Sequence, residues 1–307
     1  MRVLITGATG TIGLAVVDAL GARGDQVVAL TRDPERGQRV LGAGVEVHPW
    51  PEPTSTPPPE AALQGLDAVI HLLGEPVAQR WTDDAKERIR DSRVLSTRSL
   101  VTALSSLPEG AGPGVLVCQS ATGYYGPRDD AELDEQAAPG HDFLAEVVVA
   151  WEREAAAAAP RMRVVMTRTG VVLSPSGGAL AKMLPFFRLG LGGPVAGGHQ
   201  YVPWIHLADV VGALVHSLDD DAVQGPVNVT APNPVTNTEL SHALGHALGR
   251  PAVLPVPGFA VKMLYGEMAE MVTAGQRAVP ARLLERGFGF RHPQIEPALR
   301  DVLANSR

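Results

Sequence analysis

The 307-residue sequence predicts an α/β protein built on a doubly wound parallel sheet, with a smaller lobe on the substrate side and at the C-terminus. Two observations carry that expectation. Short runs rich in Val, Ile and Leu alternate with helical stretches through most of the chain. The first of these runs also ends directly in a glycine-rich turn, Gly7-Ala8-Thr9-Gly10-Thr11-Ile12-Gly13, which opens an apolar helix.

Strands are expected at residues 2–6, 26–30, 45–48, 68–72, 115–119, 163–167 and 227–229. They are short and mostly continuous in apolar character, as strands covered by helices on both faces are. Residues 12–23, 83–107, 143–158, 207–218 and 236–248 carry helix formers with apolar residues three or four apart and supply the crossover helices. Residues 51–60 hold five prolines and read as an exposed loop. From 171 to 204 the sequence turns Gly-rich around a short apolar helix at 179–189, a composition suited to loops lying over the sheet. The expected division is a dinucleotide-binding domain over 1–235, with 171–204 contributing to the substrate lobe. A C-terminal helical lobe over 236–307 follows, with helical signals at 261–273 and 295–303.

Composition narrows the function classes. A formal charge of −7 with pI near 5.7, and no cluster of Lys and Arg, argues against a nucleic-acid partner. Hydrophobic content of 45% includes no run near the ~20 apolar residues of a membrane helix, so no membrane partner is expected. The single cysteine, Cys118, lies in an apolar run and reads as a small buried strand residue; neither a disulfide nor a metal centre is expected. The chain begins on a strand pattern without a secretion-type segment, which places it in the cytoplasm. A monomer and a homodimer both remain open.

The glycine turn has a specific use. Gly7 allows the tight turn, Gly10 lets the backbone approach a pyrophosphate, and Gly13 lets the helix pack close to the strand; this is the arrangement of a Rossmann nucleotide site. The amides of the helix start, around Thr9, Thr11 and Ile12, would meet the phosphates. At the tip of the second strand stand Thr31 and Arg32, with no carboxylate ahead of Asp33. A guanidinium there suits a 2′-phosphate, so NADP is the expected cofactor rather than NAD. His71, Leu72, Leu73 and Gly74 end the fourth strand and would line the crevice, with His71 expected to be a packing residue.

The residues just quoted, together with Ser120-Ala121-Thr122-Gly123-Tyr124-Tyr125-Gly126, Arg168-Thr169-Gly170-Val171-Val172 and Trp204-Ile205-His206-Leu207-Ala208-Asp209, resemble the extended short-chain dehydrogenase/reductase superfamily, the NAD(P)-dependent epimerase/dehydratase group. More narrowly, Gly74-Glu75-Pro76, Arg80-Trp81, Ser92-Arg93-Val94, Gly190-Leu191-Gly192-Gly193-Pro194 and Gly287-Phe288-Gly289-Phe290 resemble its atypical epimerase-like members, which carry a C-terminal domain of uncharacterised function. The resemblance covers essentially the whole chain. It implies NADP held by the glycine turn, Thr31, Arg32, Leu72, Leu73 and Gly74. It also places Arg93, Arg168 and Val171 on the cofactor side, and it names no substrate.

Working reductases of that superfamily place Tyr-x-x-x-Lys on the helix after the fifth strand, so that the ammonium lowers the phenol's pKa and the phenol moves the proton. Here Phe143 and Val147 stand in those positions, and none of the four tyrosines has a Lys four residues on. Ser120, Tyr124 and Tyr125 are the remaining candidates for orienting a substrate. Lys182 and His206 are weaker ones, Lys182 expected on a solvated face and His206 expected to hydrogen-bond within the fold. The leading reading is an NADP-dependent oxidoreductase or epimerase-like enzyme acting on a small polar molecule. The competing reading is an NADP(H)-responsive binding protein without catalysis.

Overall fold

The computed structural model describes residues 1–304. Seven strands, β1 (Arg2–Thr6), β2 (Gln26–Thr31), β3 (Glu46–Pro49), β4 (Ala68–His71), β5 (Val115–Ala121), β6 (Arg163–Thr169) and β7 (Gly225–Val229), pair in the order β3-β2-β1-β4-β5-β6-β7. Every pairing is parallel. This is the doubly wound Rossmann-like sheet expected from the apolar runs. Thr6 sits beside His71 at the carboxyl ends of β1 and β4, where the strand order reverses and a crevice opens.

Parity along each strand sorts the core. Val3, Ile5, Val115 and Val117 face α1 (Thr11–Ala22) and α6 (Leu207–Asp219), whereas Leu4, Leu116 and Cys118 face α3 (Asp83–Ser105) and α4 (Phe143–Ala156). The short α2 (Pro34–Leu41) follows β2. A third apolar cluster forms the lobe. In it α5 (Gly178–Arg188) contributes Leu180 and Leu184, α7 (Asn237–Leu248) contributes Leu240 and Leu244, and α11 (Ile295–Ala304) contributes Leu299 and Val302, all around Trp204 and Leu173. The segment 171–204 and the C-terminal helices therefore share one core.

The helix expected at 261–273 departs from the sequence pattern. It starts earlier, as α8 (Gly258–Tyr265), turns through residues 266–269 as a 3-10 segment, and resumes as α9 (Glu270–Thr273). Gly266 adopts φ +64, outside the helical region, so an apolar periodicity that spans it does not make one helix. Within α8 only Val261 is buried. The short α10 (Ala281–Glu285) and an extended stretch lead to α11. Among the described residues no helix is long and apolar enough to cross a membrane.

Asp209 ties this tail to the sheet. Its buried carboxylate accepts the backbone amides of Arg291 at 2.7 Å and His292 at 3.0 Å. It stands in the first turn of α6, as expected of a helix-start charge, yet both oxygens serve the C-terminal segment. Beside it, the Nδ1 of His206 accepts the Ala208 amide and its ring stacks on His292 with centroids 3.8 Å apart. That acceptor role leaves the ring proton on Nε2, 3.2 Å from a carboxylate oxygen of Asp301. His206 thus serves the fold.

Candidate active site

The carboxyl edge of β1 carries the glycine turn, and its geometry follows from the backbone. Gly7 has φ +67, and a Cβ there would lie 2.9 Å from the Leu72 carbonyl oxygen. At Gly13 a Cβ would lie 2.2 Å from the Gly7 carbonyl oxygen, so α1 can approach β1 this closely only with hydrogen at that position. The turn closes through the Gly10 amide, which donates to Gly7 at 3.0 Å.

The start of α1 differs from the helices around it. Asp33 caps α2, Thr82 caps α3, Asp142 caps α4 and Thr236 caps α7 in a reciprocal box with Glu239. By contrast, α1 begins at Gly10 with no side-chain cap and no acid in its first turn, leaving the amides after it to an outside acceptor. The start of α5 is likewise uncapped, and its Gly177 lies against Thr11, where a Cβ would come within 2.6 Å of Oγ1. Two open helix starts therefore meet at the head of the crevice.

Cations border it. Arg32 is exposed at the tip of β2, next to Thr31, and pairs with no acid among the described residues. Arg93, on α3, packs its guanidinium against Gly74 and over the Trp151 ring at 5.3 Å, and among the described residues donates only to the Ile89 carbonyl. Burial lowers its pKa to about 10, with the Glu75 charge opposing that shift. Such a cation, held without a carboxylate contact, fits an anionic ligand, as do the free amides of α1. The residues present are suited to a dinucleotide phosphate.

His71 closes the floor. Its Nδ1 lies 2.7 Å from Thr6 Oγ1 and its Nε2 2.9 Å from Thr97 Oγ1. Burial drops its pKa to about 3, so the folded protein holds it neutral, in a packing role. An unfolded chain, with an ordinary histidine pKa near 6.5, binds a proton at the onset of acidification, and the folded state does not. Stability is therefore expected to fall as pH drops below about 6.5, with a slope from this group approaching ~1.4 kcal/mol per unit. Urea midpoints measured between pH 7 and 5 test this: a His71→Gln variant should show a flatter profile, and an identical slope would discount it.

The structure turns the hydroxyl candidates in different directions. Ser120, on the α4 face of β5, is buried and donates to Glu152 Oε1 at 2.6 Å. Glu152 in turn holds Arg168 through both oxygens, at 2.8 Å each. Arg168 also donates to the Tyr125 hydroxyl and to the Glu135 carbonyl, each at 3.2 Å, and Tyr125 donates to Asn228 Oδ1 at 2.7 Å. Burial alone would depress the Arg168 pKa, but the Glu152 hydrogen bonds and charge outweigh it and raise it. Burial pushes the Tyr125 phenol up to about 12. Ser120, Tyr125 and Arg168 are thus joined to one another inside the protein. Tyr124 lies on their rim with the Arg168 guanidinium 3.4 Å from its ring centroid, and its hydroxyl has no hydrogen bond among the described residues.

Phe143 occupies the tyrosine position, with its ring 5.2 Å from Trp81 and under the Lys86 ammonium at 5.4 Å. Lys86 pairs with Glu267 and the candidate Lys182 donates to the Ala78 carbonyl, so both cations on this side are held by the walls. Val147 is buried, and Val171 stands half-buried at the foot of the lobe, paired with Trp204. Sequence reasoning missed Glu152, though a signal was present. Ala145, Val148, Glu152 and Ala155 form one inward stripe of α4, and a carboxylate in an apolar stripe calls for a buried cation.

Comparison with known proteins agrees with this geometry. Residues 3–230 match the NAD dependent epimerase/dehydratase family and residues 256–302 a domain of unknown function, DUF1731. The chain is 37% identical to epimerase family protein SDR39U1 of Homo sapiens, over 99% of this chain and 100% of the relative. It is 39% identical to the chloroplastic SDR39U1 homolog of Arabidopsis thaliana, over 99% of this chain and 87% of the relative. A crystal structure of human SDR39U1 (isoform 2) with NADPH superposes with a TM-score of 0.88 at 36% identity, covering 99% of this chain and 100% of that one.

Proposed function

This chain belongs to the NAD-dependent epimerase/dehydratase family, as an atypical short-chain dehydrogenase/reductase, and we propose from that premise that it is an NADP(H)-dependent oxidoreductase or epimerase-like enzyme acting on a small polar substrate. One observation carries the cofactor half. The uncapped start of α1 faces the crevice between two cations, Arg32 and Arg93, that no carboxylate contacts among the described residues, in a chain similar to a protein crystallised with NADPH. Bound NADP supplies or accepts a hydride. The amides after Gly10 bind phosphate, Arg32 selects the phosphorylated ribose, and Phe143 with Trp81 keeps water from the place a catalytic phenol would occupy. Tyr124, the candidate hydroxyl without a hydrogen bond among the described residues, orients the substrate. A cytoplasmic location suits the single thiol, Cys118, which is buried.

Two measurements test this. A charge-assisted contact is worth about 1.5–3 kcal/mol, so Arg32→Ala should weaken NADPH roughly 10–100-fold and leave NADH within about 3-fold. Equal losses for both would remove Arg32 from cofactor selection. With NADPH deuterated at C4, incubation over a panel of carbonyl compounds and nucleotide sugars should move the label into one product class, and Tyr124→Phe should slow that transfer about 10–100-fold at unchanged NADPH affinity. A second reading, an NADP(H)-responsive binding protein, is favoured by the enclosure of Ser120 and by Phe143 and Val147 where the proton relay would stand. Tight NADPH binding with no transfer across the panel would decide for it.

A further inference from the structure

The lobe presents an apolar face that the cofactor site does not explain. Phe186 and Leu189 at the end of α5, Val253 in the stretch between α7 and α8, and Phe259, Met263 and Leu264 on α8 are each between 58% and 74% exposed. They belong to neighbouring segments. Val195 bridges Val256, a Cβ on Gly193 would touch the Leu254 backbone, and Gly190 packs near Pro251, so the end of α5 runs alongside the chain that leads into α8. Together the six make an exposed apolar patch of several hundred Å², a size at which patches on a monomer are often functional.

Charge says what this face meets. From residue 155 to 208, and again from 240 to 266, the sequence holds no Asp or Glu, in a protein whose net charge is −7. The cations on these segments that border the face, Arg188, Arg250 and Lys262, are exposed and have no acidic partner among the described residues. A two-fold dimer through this face would set cations against cations, which opposes self-association. An anionic lipid surface matches both properties. It accepts protruding apolar side chains without needing a complementary shape, and its headgroups pair with the rim.

We propose that α8 and the end of α5 form a peripheral docking face for an anionic membrane surface. The expectation of no membrane partner rested on the lack of a spanning segment, and a face assembled from three separate stretches leaves no trace in a hydropathy window. Docking rests on exposed side chains away from the cofactor turn, so it stands apart from the catalytic reading.

Sedimentation of the full chain with vesicles tests it. Phosphatidylcholine vesicles containing 30% phosphatidylglycerol should carry the protein down at least 10-fold better than pure phosphatidylcholine, and raising NaCl from 50 to 500 mM should cut that binding several-fold, with salt-insensitive binding counting against the proposal. The variant Phe259→Ser with Met263→Ser, and separately Arg188→Glu with Lys262→Glu, should each lose binding 10-fold or more while NADPH affinity and the circular dichroism spectrum stay unchanged. Absence of vesicle binding, equal binding to both vesicle types, or unchanged binding by both folded variants would overturn the proposal. So would analytical ultracentrifugation showing a dimer that the Ser variant dissociates, since the face would then be a self-association surface.

Discussion

Replacing Arg168 with alanine is expected to cost about 3–5 kcal/mol of folding stability, the largest effect of any substitution considered for this protein. The side chain is 3% exposed and its guanidinium bonds both oxygens of Glu152. Removing it leaves a carboxylate buried with, among the described residues, only the Ser120 hydroxyl as donor, and removes a donor from the Tyr125 oxygen and the Glu135 carbonyl. The penalty is the desolvation of groups left behind rather than the net worth of the ion pair. Glu152→Ala should therefore cost a similar amount from the other side, and the double variant much less than the sum, because neither stranded charge then remains. Urea unfolding followed by circular dichroism measures all three. A single-variant loss below ~1 kcal/mol, or simple additivity, would show that the pair is hydrated and that the network is not closed.

The second large effect belongs to the glycine turn. Gly13→Ala places a carbon 2.2 Å from the Gly7 oxygen and 2.7 Å from Ala8 Cα, so α1 must move away from β1. That movement shifts every amide at the helix start, and NADPH affinity should fall 100-fold or more, with a stability loss on the order of 1–3 kcal/mol from overpacking. Gly21, in the same helix, supplies the control. A Cβ there meets nothing within 4 Å, and alanine should leave NADPH binding unchanged while adding roughly 0.5–1 kcal/mol through helix propensity. Isothermal titration of both variants is decisive, since an intact NADPH affinity in Gly13→Ala would show that the turn does not hold the cofactor.

These two sites show what the sequence made legible. The strand and helix order could be read because β1, β4 and β5 are buried on both faces and their runs are accordingly apolar throughout. The turn could be read because its requirement is for glycine itself, at Gly7 and Gly13, and backbone chemistry is local. Ser120 shows the limit. Its residue type and place at the end of β5 suggested a substrate hydroxyl, but which way it points depends on Glu152, 32 residues later on α4. Tyr125 is committed by Asn228, a further 103 residues on. The break at Gly266 was hidden for a different reason: the apolar pattern of 261–273 continues across it, and a single glycine does not announce whether its φ will be positive.

The lobe's shared core has a consequence for biosynthesis. Leu173, Leu180 and Trp204 are covered in part by Leu299 and Val302, which leave the ribosome about a hundred residues later. The seven sheet strands are all available once Val229 has been made, so the nucleotide-binding half can form while synthesis continues. The neighbouring lobe must wait with its greasy interior open until Val302 has emerged, a window in which a chaperone has the most to offer.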